Sequence, residues 1–278
     1  MSDSSGGAHD AAGRQVRTLA ISGKGGVGKT TLAASLARLF AGEGRDVIAI
    51  DADLDANLAA ALGVPDGEAI QPICQMTELI AERTDSGPRG YGKLFKLNPT
   101  VSDIPDTYSI VHDGVRLMVL GAPKRGGDGC ACPENVFLRN LLSHLVLQRD
   151  EMLIVDLEAG IEHLGRATCA NIDALIVVVE PGRRSAQTAA TVRRMADEIG
   201  IRHVFLAANK IRSPHDLERL RGSLPEGVPL LGAISFDPEL MTADLEGRPV
   251  GEGDGKLLDE VRAIRARLMD ALAQGSTG

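Results

Sequence analysis

Short, uniformly apolar runs alternate along this chain with longer stretches whose apolar residues recur at helical spacing. The runs at 19–21, 46–51, 115–121, 152–156, 174–179, 204–208 and 230–234 read as strands buried on both faces. The intervening segments 31–41, 134–146, 185–198 and 214–221 read as helices, and none of these units repeats another. Strand–helix alternation of this kind predicts an α/β fold: a mostly parallel sheet with helices on both faces. A final helix is expected over 256–272, with Leu257, Leu258, Val261, Ile264, Leu268 and Leu272 on one side. Its other face mixes acids with bases, which favours packing on the domain over binding a membrane surface.

Two segments break the rhythm. Residues 1–15 are rich in Ser, Gly, Ala and Asp and lack an apolar stretch of the kind a secretory signal needs, so a disordered tail is expected. Residues 66–113 carry several prolines and glycines, with helical spacing only near 76–83. They read as a surface insertion in one domain spanning 16–278.

Composition narrows the reading. The chain has 278 residues, 44% hydrophobic, but only 3% aromatic and no Trp, so its core must be aliphatic. A net charge of −8 argues against a protein that coats nucleic acid. No apolar run approaches membrane-spanning length. Four cysteines in a chain of this size do not make a secreted disulfide framework; they suit a reducing cytoplasm, with metal or redox work for any pair.

The stretch Gly23-Lys24-Gly25-Gly26-Val27-Gly28-Lys29-Thr30-Thr31 satisfies G-x-x-x-x-G-K-[ST] between a strand and a helix. Its glycines allow successive N–H groups to converge on phosphate, and the helix adds its positive end. Lys29 is expected to reach the outer phosphates and Thr30 to hold Mg²⁺. Asp51 ends the second strand and Asp53 and Asp55 follow it, where ligands bind in open α/β sheets; such acids also serve as helix caps. Asp156 ends the apolar run 152–156 in the manner of a Walker B acid, suited to Mg²⁺ through water. Asn209 ends another strand, where its amide can read an adenine edge. GTP-binding proteins use N-K-x-D there, and Arg212 in place of that Asp favours ATP.

Cys130 and Cys132 stand two apart after a glycine-rich turn, with Pro133 and Glu134 opening a helix whose end stabilises thiolate. One such pair offers two sulfurs, whereas Zn²⁺ and Ni²⁺ commonly take four ligands. A two-fold axis passing near the pair would supply four. Buried cysteines and a redox switch are the competing readings. Cys74 and Cys169 lie singly in apolar contexts and read as core residues.

Lys24, directly after the first glycine, makes the loop resemble the deviant Walker A ATPases: MinD/ParA, nitrogenase iron protein and related metallochaperones. That resemblance implies a homodimer in which Lys24 reaches the partner's nucleotide, as an arginine finger does. It assigns water positioning to Asp53, support of Mg²⁺ and the loop to Asp51, and γ-phosphate sensing to Gly160 in the Glu158-Ala-Gly160-Ile-Glu162-His163 segment. An iron–sulfur cluster of the nitrogenase type is disfavoured, because no cysteine follows Asp156 closely.

Residues 51–58, 95–105, 129–141 and 158–166 further resemble the CooC-type accessory ATPases of Ni,Fe carbon monoxide dehydrogenase. The likeness covers nearly the whole chain after the tail. It implies a cytoplasmic ATPase that dimerises with ATP, holds Ni²⁺ or Zn²⁺ on Cys130 and Cys132, and helps activate the apo-dehydrogenase, without stable membrane association. The Leu54-Asp55 step departs from the pattern expected there. The competing class is a positioning or partition ATPase acting on a membrane or DNA.

Overall fold

The computed structural model describes residues 16–53, 56–65, 70–86, 94–121, 132–148, 150–158, 171–246, 248–249 and 255–274. Among these, eight strands form one sheet: β1 (Thr18–Gly23), β2 (Val47–Ala52), β3 (Ile110–His112), β4 (Val115–Val119), β5 (Met152–Leu157), β6 (Ala174–Val179), β7 (Val204–Ile211) and β8 (Leu230–Ser235). Their order is β3-β4-β2-β5-β1-β6-β7-β8, with every pairing parallel except β3–β4.

The helices are α1 (Lys29–Gly42), α2 (Leu58–Ala61), α3 (Thr77–Thr84), α4 (Ile104–Thr107), α5 (Pro133–Gln148), α6 (Arg183–Ile199), α7 (Pro214–Arg221), α8 (Pro238–Leu245) and α9 (Gly255–Gln274). Side-chain alternation along the strands divides the core in two. Leu19, Ile21, Ala49, Ile154 and Ile176 pack with α1, α2 and α9 on one face. Ala20, Ile48, Ile50, Val155 and Val177 pack with α3, α5 and α6 on the other. This explains why the central strands are apolar without a break: both faces are covered.

The strands predicted at 46–51, 115–121, 152–156, 174–179, 204–208 and 230–234 are all present, most with ends moved by a residue or two. β7 runs on through Asn209 and Lys210 to Ile211, and its register with β8 breaks between Ala208 and Ile211. The last helix buries Leu257, Val261, Ile264, Leu268, Met269 and Leu272 against β8 and α1, while Leu258 stays half-buried. No described helix is long and apolar enough to cross a membrane.

Within 66–113 the described residues do more than cover the surface. Ile73, Ile80, Val101 and Ile104 are buried in the α3/α5 core, and β3 adds an antiparallel edge strand. These apolar residues come from a 3₁₀ turn (Ile73–Gln75), two short helices and, at Val101, irregular backbone, so they show no sustained period.

Candidate functional site: a phosphate loop facing three carboxylates

In a parallel sheet the carboxyl ends of the strands lie together, and here they gather the predicted residues. β1 ends at Gly23, β2 at the Asp51–Ala52 step, β5 just past Asp156, and β7 at Asn209–Ile211. Asp51 and Asp156 are register partners on adjacent strands, and Asp156 also pairs with Ile21 of β1. Register therefore brings two acids and the root of the loop side by side.

The loop 23–28 joins β1 to α1 in close contact with β6 and β7. A Cβ on Gly23 would fall 2.5 Å from the Val178 carbonyl oxygen. Gly28, at φ 94°, has Asn209 Nδ2 2.1 Å from where its Cβ would stand. Both positions thus require glycine on steric grounds. Gly25 and Gly26 are exposed, Lys24 and Thr31 are half-buried, and the Val27 side chain is buried in the core.

Lys29 is buried, and its Nζ lies 3.4 Å from Asp53 Oδ2. Thr30 Oγ1 donates to Asp156 Oδ2 at 2.7 Å. Asp51 is fully buried and holds the following turn together: Oδ1 accepts from the Asp53 N–H (3.1 Å) and Oδ2 from the Leu58 N–H (2.8 Å) at the start of α2. It is therefore both loop support and helix cap, the two roles the sequence left open. Ser22 Oγ donates to the Glu158 carbonyl at 3.1 Å, tying β1 to the segment after β5.

The electrostatics are those of crowded acids out of water. Burial pushes the Asp156 carboxyl up to about 7; the Thr30 hydrogen bond opposes this, and the neighbouring Asp51 charge adds to it. Burial likewise lifts Asp51 to about 6 against its two backbone N–H bonds. Asp156 Oδ1 is buried and has no hydrogen-bond partner among the described residues. An orphaned carboxylate oxygen beside a threonine hydroxyl fits Mg²⁺ with its water shell, which would relieve that charge. Thr30 and Asp156 would hold the ion, and it would supply charge neutralisation on nucleotide phosphates.

Two findings extend the sequence reading at β7. Asn209 Nδ2 donates to the Val27 carbonyl at 2.8 Å and Oδ1 accepts from the Lys210 N–H at 2.7 Å, so this side chain braces the loop. Lys210 Nζ donates to the Gly26 carbonyl at 2.5 Å and lies 3.3 Å from Glu180 Oε2. The sequence assigns no role to Lys210 or Glu180, because a contact across 184 positions leaves no local trace. Arg212 stacks on Phe236, with the guanidinium carbon 3.8 Å from the ring centroid.

The CobQ/CobB/MinD/ParA nucleotide binding domain family matches residues 18–250. The chain belongs to this family. As a CobQ/CobB/MinD/ParA-family protein it is an ATPase that works with ATP and Mg²⁺. It is 42% identical over 254 residues to the carbon monoxide dehydrogenase accessory protein CooC of Rhodospirillum rubrum, covering 91% of this chain and 96% of that one. An uncharacterised ATP-binding protein of Methanocaldococcus jannaschii is 41% identical over 88% of this chain and 95% of its own length. Among solved structures, MinD of Pyrococcus horikoshii with Mg-ADP superposes with a TM-score of 0.63 at 23% identity, covering 94% of this chain and 98% of that one, a likeness of fold.

At the cysteine pair, Cys132 is buried at 6% exposure and its carbonyl accepts from the Val136 N–H at 3.0 Å. It thus stands at the entrance of α5, directly before Pro133. Cys130, Gly160, Asp55 and Cys169 lie outside the described residues. Cys74, expected in the core, is half-buried, with Gly121 so close that a Cβ there would meet its sulfur at 2.8 Å. That approach places it at the rim, beyond the end of β4.

Proposed function

We propose that this ATPase is an accessory protein for nickel insertion into a Ni,Fe carbon monoxide dehydrogenase. The observation that carries the reading is the 42% identity to CooC across nearly the full length of both chains. In this reading two copies close face to face on Mg-ATP in the cytoplasm. Lys24 of each reaches the other's phosphates, while Lys29 and the loop amides hold the nucleotide in cis. Asp53 orients the attacking water, Gly160 senses the γ-phosphate and Asn209 reads the adenine edge.

Ni²⁺ or Zn²⁺ is the cargo. Cys130 and Cys132 give two thiolates per copy, and closure brings four together. Cys132 stands at a helix entrance, whose positive end stabilises bound anionic sulfur. If closure completes the sulfur site, bound metal must favour closure to the same extent, because the coupling is reciprocal. Hydrolysis opens the dimer and weakens the site beside the apo-dehydrogenase.

The test is a nickel and zinc titration of the parent and of Cys130→Ala/Cys132→Ala, each with and without ATP, with oligomeric state followed by sedimentation. The parent should bind one metal per dimer, and the variant should bind nucleotide but neither metal nor, in response to metal, a second copy. Retention of one metal per dimer in the variant overturns the cysteine site. Metal-independent activity, with ATP-dependent co-sedimentation on vesicles or DNA, would instead support a positioning or partition ATPase.

A further inference from the structure

Lys210 is one of three non-glycine residues with positive φ among the described residues, at 58°. Left-handed backbone crowds a Cβ against the following carbonyl, so a lysine does not adopt it for local reasons. Something tertiary holds it there. Its side chain shows what: Nζ reaches across 184 positions of sequence to the Gly26 carbonyl at 2.5 Å, with Glu180 Oε2 3.3 Å from the same nitrogen. Glu180 is itself placed at the exit of β6, where its N–H donates to Ser185 Oγ at 2.9 Å.

Its neighbour completes the arrangement. Asn209 holds the Val27 carbonyl at 2.8 Å, so two successive residues of β7 grip two successive carbonyls of the phosphate loop. In a planar trans peptide the carbonyl and the following N–H point to opposite sides. Gripping the Gly26 carbonyl turns the Val27 N–H inward, where it meets the Lys24 carbonyl at 3.3 Å. Gripping the Val27 carbonyl turns the Gly28 N–H the same way. The loop's backbone is thereby held from β7, with the Val27 N–H closing its internal turn and the Gly28 N–H on the side away from Asn209.

We propose that Lys210, oriented by Glu180, is a positioning residue of the phosphate loop: through the Gly26 carbonyl it sets the loop amides that bind the nucleotide's phosphates. The bland reading is a surface ion pair, for Lys210 and Glu180 are 38% and 27% exposed at their side chains. Such pairs contribute little and do not require a strained backbone. A third partner on the loop and a left-handed φ distinguish this one.

The experiment uses the full chain with Lys210→Met, Lys210→Arg, Lys210→Gly and Glu180→Gln. Each is titrated with Mg-ATP and with Mg-tripolyphosphate, which has phosphates and no base, alongside steady-state turnover and thermal melting. The tether acts on ground-state phosphate binding, so Lys210→Met should weaken both ligands about tenfold and raise KM equally, with kcat within about threefold. Lys210→Arg should restore most of the loss, and Glu180→Gln should show a smaller loss of the same kind. Lys210→Gly relieves the backbone, so it should melt no lower than the parent yet bind as weakly as Lys210→Met. Weakened ATP with unchanged tripolyphosphate would make Lys210 a base contact and overturn the proposal. Unchanged binding of both ligands, or a lower melting temperature with unchanged affinity in the variants that fold, would overturn it as well.

Discussion

The Lys29 ammonium stands 3.4 Å from the Asp53 carboxylate, both largely out of water. The loop cation is thus paired with an acid from the turn after β2. In the proposed mechanism an incoming phosphate takes Lys29 over and frees Asp53 to orient the attacking water. Asp53→Asn should therefore bind ATP at least as tightly as the parent, while phosphate release falls by about 100-fold or more, the usual cost of losing a group that handles the attacking water. Parallel binding titrations and turnover assays check this. Turnover near the parental rate would remove Asp53 from the mechanism.

Asp156 and Asp51 give the apoprotein a distinctive dependence on pH. Burial raises them to about 7 and about 6 from an ordinary carboxylate value near 4. Between pH 4 and 7 the native state therefore holds more protons than the unfolded chain. Their contribution is greatest at low pH and is lost as pH rises through the folded values. Asp156→Asn removes the larger share of this. Relative to the parent, the apo variant should gain roughly 1–3 kcal/mol at pH 8, with the gain vanishing towards pH 4. It should also lose the Mg²⁺-dependent part of stabilisation by ATP. Melting curves across pH, with and without Mg-ATP, read both effects.

Much of this arrangement is visible in the chain because it is local or strongly periodic. The loop 23–31 is contiguous, β5 is an apolar run closed by Asp156, and the stripe of α9 repeats over several turns. β3 escapes because it has three residues, two of them exposed, and so neither length nor alternation marks it. β7 runs past its apolar run because Asn209 and Lys210 are anchored to the loop, a contact 182 to 184 positions away in sequence. Ile73 fills the core from a 3₁₀ turn, where period carries no signal, whereas Ile80 lies on α3, within the stretch 76–83 whose helical spacing is legible. Pairing of Thr30 with Asp156, 126 positions apart, was foreseeable only through the chemistry of Mg²⁺.

Lys24 tests the two-fold arrangement directly. It is half-buried at the rim of the loop, and its carbonyl, not its ammonium, takes part in the loop's internal turn, accepting from Val27 at 3.3 Å. Its side chain is thus unnecessary for the loop's own shape. Lys24→Ala should bind ATP within about threefold of the parent while losing ATP-driven dimerisation and falling at least about 100-fold in turnover, the scale of a cation supplied in trans. Sedimentation with ATP, together with phosphate release, decides it. Unchanged steady-state turnover would refute the role.

Gly28 offers the sharpest steric test of the loop. At φ 94° it occupies backbone that L residues rarely adopt, and a Cβ would lie 2.1 Å from Asn209 Nδ2. Gly28→Ala must therefore push Asn209 away, which breaks its 2.8 Å bond to the Val27 carbonyl. The expected cost is roughly 1–3 kcal/mol of stability, from backbone strain and a displaced buried amide. Affinity for Mg-ATP should fall far more steeply than that loss implies, because the displaced peptide units are those that the proposed binding mode turns to phosphate. Gly28→Ala combined with Asn209→Ala relieves the clash without restoring the brace. The double variant should regain melting temperature over Gly28→Ala while nucleotide binding stays weak. Recovery of both together would show that the clash alone, and not the hold of β7 on the loop, governs phosphate binding.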